Sequence, residues 1–130
     1  MPCTSWIAKI KNPLGNKAEN AAHHFLINKG CTLVAKNYAW RGGELDLVMQ
    51  DKEFLVFIEV RYRTQAHYGD SAESITWKKQ LRIIKTAQHF LQKHKLTNQS
   101  ACRFDIITAK PDLSHQGGLQ IGWIKNAFGA

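Results

Sequence analysis

Cysteine is scarce and poorly placed for metal or disulfide chemistry. The 130-residue chain has three, Cys3, Cys31 and Cys102, odd in number and widely separated, with no C-x-x-C. That pattern argues against a zinc framework or a disulfide scaffold and fits reduced thiols in a cytoplasmic compartment. The six histidines include His23-His24 but no H-E-x-x-H, so they read as surface or core-edge residues. No segment approaches the about 18 apolar residues of a membrane span. The run Trp6-Ile7-Ala8 is too short for a secretory leader. Internal repeats, low-complexity tracts and shifts of composition are also missing. Acid is in short supply: 10 Asp+Glu stand against 18 Lys+Arg, for a net charge of +8.

What is present is globular, with 44% hydrophobic and 22% charged residues. The simplest division is a short basic lead-in over residues 1–14, where Pro13 argues against a helix, and one domain over 15–130. The positive balance points to a polyanion, nucleic acid being the commonest. The competing reading is charge that serves solubility alone.

Periodicity predicts a helix capped by Asn16 and ended by Gly30, with an apolar stripe of Ala18, Ala21, Ala22, Phe25 and Leu26. Glu19 lies at the edge of that stripe. Cys31–Trp40 reads as a strand, followed by a tight turn at Gly42-Gly43. Residues 64–74 form a polar loop. A second helix, capped by Ser74 or Thr76, runs from Trp77 to about His94, with Trp77, Leu81, Ile84, Ala87 and Leu91 as its apolar row and Ile83 and Phe90 widening that face. Lys78, Lys79, Arg82, Lys85 and Lys93 make much of the remainder basic. Strands at 101–110 and 119–123 complete an α-β-β-β-α-β-β order, a mixed sheet with helices packed on it. Arg103 and Asp105 share a strand face as a structural pair. Trp77 and Trp123 read as core.

The chain is organised around residues 42–63, two strands joined by a polar turn. The second, Phe54 to Val60, is apolar until Glu59 and Arg61 interrupt it. Alternation puts Glu44, Asp46 and Val48 on one face, and Phe57, Glu59 and Arg61 on one face. A four-residue loop at 50–53 would place Glu44 opposite Glu59 and Asp46 diagonal to it, roughly 4.5–8 Å away. Like charges that close repel, and burial raises the cost. A hard divalent cation such as Mg²⁺ would relieve both. The alternative is a solvated strand end with ordinary ion pairs to Arg61 and Arg63.

Three stretches, an acid on the first helix, Gly43–Val48 (GELDLV) and Val56–Arg63 (VFIEVRYR), resemble the signature of the restriction-endonuclease-like fold: an acid, a spacer with a strand, then (Asp/Glu)-x-Lys. More closely, the chain resembles the YraN family of small bacterial proteins, related to archaeal Holliday junction resolvases. Gly15 with Glu19 and Ala22, Thr76 with Lys79-Gln80, Arg103-Phe104-Asp105 and Asn126-Ala127-Phe128 extend the match over nearly the whole chain. The resemblance implies an α/β fold with a restriction-endonuclease-like αβββαβ core, a central mixed sheet flanked by helices. It implies Asp46 and Glu59 as ligands of Mg²⁺ or Mn²⁺, assisted by the backbone carbonyl of Val60, with Glu19 reaching the ion through water. Arg61 occupies the signature lysine position. Arginine does not give up its proton, since its pKa stays above ~12, so Lys79, or failing it Lys78, would supply a lysine from the helix.

The leading functional expectation is a metal-dependent endonuclease acting on DNA in preference to RNA, branched or structured DNA included. Asp46, Glu59, Arg61, Lys79 and Glu19 would serve catalysis, and Lys78, Lys79, Arg82, Arg61 and Arg63 nucleic-acid binding. A homodimer follows by family analogy, and no membrane association is expected. Two alternatives stay open: a nucleic-acid-binding module with a degenerate, non-cleaving site, and a protein-interaction domain on the same scaffold.

Overall fold

The computed structural model describes residues 13–63, 75–97, 101–114 and 117–129. The expected loop at 64–74, Ser74 as an alternative cap and most of the lead-in lie outside them.

Helix α1 (Pro13–Asn28) opens on Pro13, three residues before the expected cap at Asn16. Proline suits the first helical position, because the amide it lacks has no intrahelical partner there. The objection to Pro13 holds only for a helix interior. The helix ends as expected: Gly30 adopts φ 98°, and the Cys31 amide donates back to the Leu26 carbonyl at 3.0 Å.

Strands β1 (Thr32–Trp40), β2 (Gly43–Asp51) and β3 (Phe54–Tyr62) follow, then helix α2 (Trp77–Lys93) and strands β4 (Ala101–Pro111) and β5 (Leu119–Phe128). They form one sheet in the order β1-β2-β3-β4-β5, antiparallel except where β3 and β4 pair in parallel. A parallel pair needs a crossover connection, and α2 lies in it. The element order is the expected one, and the fold is α/β, a five-stranded mixed sheet with helices packed on it, consistent with a restriction-endonuclease-like core.

Each helix covers one face. Ala22 and Leu26 of α1 pack with Leu47, Met49, Val56, Ile58 and Ile107. Ile83, Ile84, Ala87 and Phe90 of α2 pack with Leu45, Val48, Leu55, Phe57 and Phe104 on the other side. β3 lies third of five, so Leu55, Val56, Phe57 and Ile58 are all buried, which explains its continuous apolar run. At ~1.5–3 kcal/mol for each fully buried side chain, this strand anchors the domain.

Thr76 caps α2, its hydroxyl accepting from the Lys79 amide at 3.1 Å. The apolar row of α2 differs from expectation. Ile84 and Ala87 are buried as expected, with Ile83 and Phe90 beside them, and the row fails only at its N-terminal end. Trp77 is 68% exposed and Leu81 38%. Trp123 is half-buried rather than core, its indole N–H donating to Asp105 at 2.8 Å.

Candidate active site

The hairpin joining β2 and β3 is tighter than a four-residue loop. Asp51 pairs with Phe54, leaving only Lys52 and Glu53 in the turn, with Lys52 at φ 55°. No Asn-Gly or Asp-Gly advertises such a two-residue turn in the sequence. The register therefore moves by two residues. Met49 faces Val56 and Leu47 faces Ile58, and one further step puts Asp46, not Glu44, across from Glu59. Because the shift is even, the side chains keep their faces.

The β2–β3 ladder runs from Asp51 and Phe54 to Leu47 and Ile58. Beyond it the Val60 amide donates to Asp46 Oδ2 at 2.9 Å. On the other side of β2, Lys36 pairs with Leu47 and Tyr38 with Leu45, with Asn37 and Asp46 between them. Asn37 adopts φ 53°, a left-handed conformation that asparagine tolerates better than most residues. Alternation changes at this point. Leu45 packs on the α2 side together with Val48, while Leu47 and Met49 pack on the α1 side. The expectation that Glu44, Asp46 and Val48 share one face fails for Glu44, which is exposed and pairs with Ala39. Left-handed Asn37 thus lies on β1 beside the point where β2 changes its alternation. Asn37 was not singled out from the sequence, and its one signal there is a turn-former inside a strand.

Asp46 is 7% exposed and the Glu59 side chain 11%. Burial first, and then the negative charge of Asp46, push the Glu59 carboxyl up to about 7, against the pull of Lys79. Lys79 extends from the first turn of α2 to Glu59 Oε2 at 2.7 Å, its own side chain 47% exposed. Three of the expected site residues thus come together: Asp46 from β2, Glu59 from β3 and Lys79 from α2. Gly43, at φ 154°, lets β2 start close under the helix; a Cβ there would lie 2.6 Å from Thr86 Oγ1.

The remaining expected residues surround this group. Glu19 is buried on α1 at 4% exposure. Among the described residues, no three His, Cys, Asp or Glu side chains gather as a ligand set by themselves. Arg61 and Arg63 are half-buried at the end of β3, and Lys78 and Arg82 are exposed on α2. Arg103 and Asp105 form the expected structural pair at 3.0 Å. Among the described residues no helix is long and apolar enough to cross a membrane.

The donor set suits a hard cation: two nearly buried carboxylates on adjacent strands, one of them held at a raised pKa by burial and then by the other. Oxygen ligands of this kind match Mg²⁺ or Mn²⁺.

Comparison with known proteins covers most of the chain. It is 45% identical over 114 residues to a UPF0102 protein of Nitrosococcus oceani, covering 88% of this chain and 90% of the relative. It is 44% identical over 119 residues to a UPF0102 protein of Coxiella burnetii, covering 92% and 94%. A protein of the same description in Saccharophagus degradans is 42% identical over 117 residues, covering 90% and 93%. The model of the uncharacterised protein family UPF0102 matches residues 18–109, a span that holds Glu19, Asp46, Glu59, Arg61 and Lys79. The chain belongs to that family.

Proposed function

We propose that this protein is a metal-dependent endonuclease acting on DNA phosphodiesters, branched or structured DNA included. The observation that carries the reading is the Asp46–Glu59 pair, two carboxylates kept together in a nearly buried place with one lysine between them and solvent. Such an arrangement costs stability unless a cation is recruited, and costly clusters of this type concentrate at functional sites.

Asp46 and Glu59 would hold Mg²⁺ or Mn²⁺, with the Val60 carbonyl and, through water, Glu19 as further oxygen donors; the ion when bound lowers the pKa of a water and withdraws charge from phosphoryl oxygens. The Val60 amide fixes the Asp46 carboxylate by donating to Oδ2. Lys79 is half-exposed at Glu59, so its ammonium can turn toward a phosphate and stabilise the charge that develops on it. Arg61 shares the strand face of Glu59 and can bind phosphate as a fork of donors, without acting as a base. The exposed Lys78 and Arg82, with Arg63, extend the positive surface that DNA backbones require. Cysteines this few and this widely separated suit a reducing, cytoplasmic setting, and a homodimer would follow the related resolvases.

A second reading, DNA binding without cleavage, is favoured by Arg61 alone. Incubation of the protein with linear, nicked and four-way-junction DNA in Mg²⁺ or Mn²⁺, alongside Asp46→Ala, separates the two. Cleavage by wild type that the variant loses supports the enzyme. Equal behaviour of the two proteins sinks it.

A further inference from the structure

Trp77 is the most exposed of the three described tryptophans. Trp40 stacks on His89 with ring centroids 4.2 Å apart and donates its indole N–H to Thr86. Trp123 donates to Asp105. Trp77, by contrast, is 68% exposed, and Leu81, one turn further along α2, is 38% exposed. A lone exposed leucine is ordinary, whereas a large aromatic side chain in water is informative.

Its neighbours say what would cover it. Successive residues of an α-helix turn by about 100° and rise ~1.5 Å. Around the solvent side of α2, the row of Trp77 and Leu81 is therefore followed by Lys85 and Lys78, then Arg82, then Lys79. All of these basic residues are exposed, and Lys79 ends the sweep on Glu59 at 2.7 Å. Trp77 and Lys79 lie only ~3 Å apart along the helix axis. A protein partner for an apolar ridge would want an apolar or acidic surface. A nucleic acid offers both a flat apolar ring and phosphates, and phosphates match the basic band between Trp77 and the carboxylates. Stacking platforms flanked by cations are the common means of holding unpaired bases.

We propose that Trp77 is a stacking platform for an unpaired base of DNA, seating a strand whose backbone crosses Lys78, Arg82 and Lys79 toward Asp46 and Glu59. The inference rests on the DNA-directed reading of the site and adds a preference for substrates with unpaired bases near the point of attack. A fully paired duplex presents no free ring face to Trp77. Single strands, flaps and open branch points do.

The test is equilibrium binding of full-length protein without divalent metal, so that no cleavage enters. Wild type, Trp77→Ala and Trp77→Phe are titrated with a fluorescent single strand, a flapped duplex and a blunt duplex. Trp77→Ala is expected to weaken single-strand and flap binding about 5- to 150-fold, the range for loss of one base stack, and to change duplex binding less than about twofold. Trp77→Phe keeps most of the affinity. A Trp77→Ala protein that binds every DNA as wild type does, or that loses affinity for all three equally, overturns the platform and leaves the nuclease reading intact. Failure of wild type to bind any of the three overturns both. Retained selectivity in a protein that never cleaves upholds the platform and overturns the nuclease.

Discussion

Two trios of charged side chains sit on this sheet, each made of two acids and one base, and they are built in opposite ways. In the first, Arg103 stands between the acids. It reaches Asp105 through Nε at 3.0 and 3.2 Å and through Nη2 at 3.0 Å, and it reaches Asp51 through Nη2 at 2.8 Å. Asp105 is fully buried, and the Trp123 indole and the Asn126 amide complete its bonding at 2.8 and 2.9 Å. Every charge has a partner, and the Arg103 proton is held more firmly than usual by those bonds to Asp105. In the second trio the acids face each other and the base stands outside. Lys79 touches one oxygen of Glu59 from a half-exposed position, and Glu59 is left with a raised pKa. The formal charges are the same. The first arrangement ties β2, β4 and β5 together, and the second, in the proposed function, would take up a cation.

The largest expected effect breaks the first trio. Replacing Arg103 by Met leaves Asp105 buried and uncompensated, which costs about 3–5 kcal/mol. Urea unfolding should show a midpoint far below wild type. Asp46→Asn, by contrast, should leave the midpoint near wild type, or raise it at high pH, since it removes a repulsion. A variant pair that reversed this order would show that the trios had been assigned the wrong roles.

The next effect is pH dependence. The folded Glu59 carboxyl binds its proton more tightly than the unfolded one, up to about 7 against 4.5. Between those values the folded state carries more protons, so metal-free stability falls as pH rises through that window. The loss is on the order of 3 kcal/mol at most, by the linkage of pKa to free energy. Glu59→Gln should flatten this fall and be the more stable protein at pH 8. Thermal unfolding in EDTA from pH 4 to 8 reads it directly, and a Glu59→Gln curve parallel to wild type would remove the carboxylate pair as its cause.

The smallest effect concerns Lys79. As a half-exposed ion pair it contributes at most about 1 kcal/mol. Lys79→Met should barely move the unfolding midpoint at pH 5, yet shift the Glu59 transition to higher pH, because the cation that opposes the shift is gone. Carboxyl chemical shifts of Glu59 followed by NMR would show it, and an unmoved titration would separate Lys79 from the site.

Much of this contrast was legible in the chain. Residues two apart on a strand share a face, so Arg103 with Asp105 was readable as a pair. Its other partners, Asp51, Trp123 and Asn126, are supplied by neighbouring strands and no local pattern announces them. The meeting of Asp46 and Glu59 was also legible, although the assumed turn was two residues too long. An even error in loop length leaves every side chain on its own face, so the inference outlived its premise. The left-handed backbone of Asn37 and the switch of alternation through Asp46 were hidden, because period-two reasoning assumes a regular strand. Trp77 misled for a related reason: helical spacing names the apolar face of α2, and only the sheet decides how far along the helix that face is covered. Family membership covers these residues without deciding their roles.

The decisive property of the second trio is whether it binds a cation. Titration calorimetry of Mn²⁺ into wild type and Asp46→Asn at pH 6 and pH 8 is the most direct measurement. Ligands must shed their protons to bind metal, so wild type should bind at both values, more tightly at pH 8, while Asp46→Asn shows little or no binding at either. Equal heats from the two proteins, or no binding by wild type at pH 8, would contradict it.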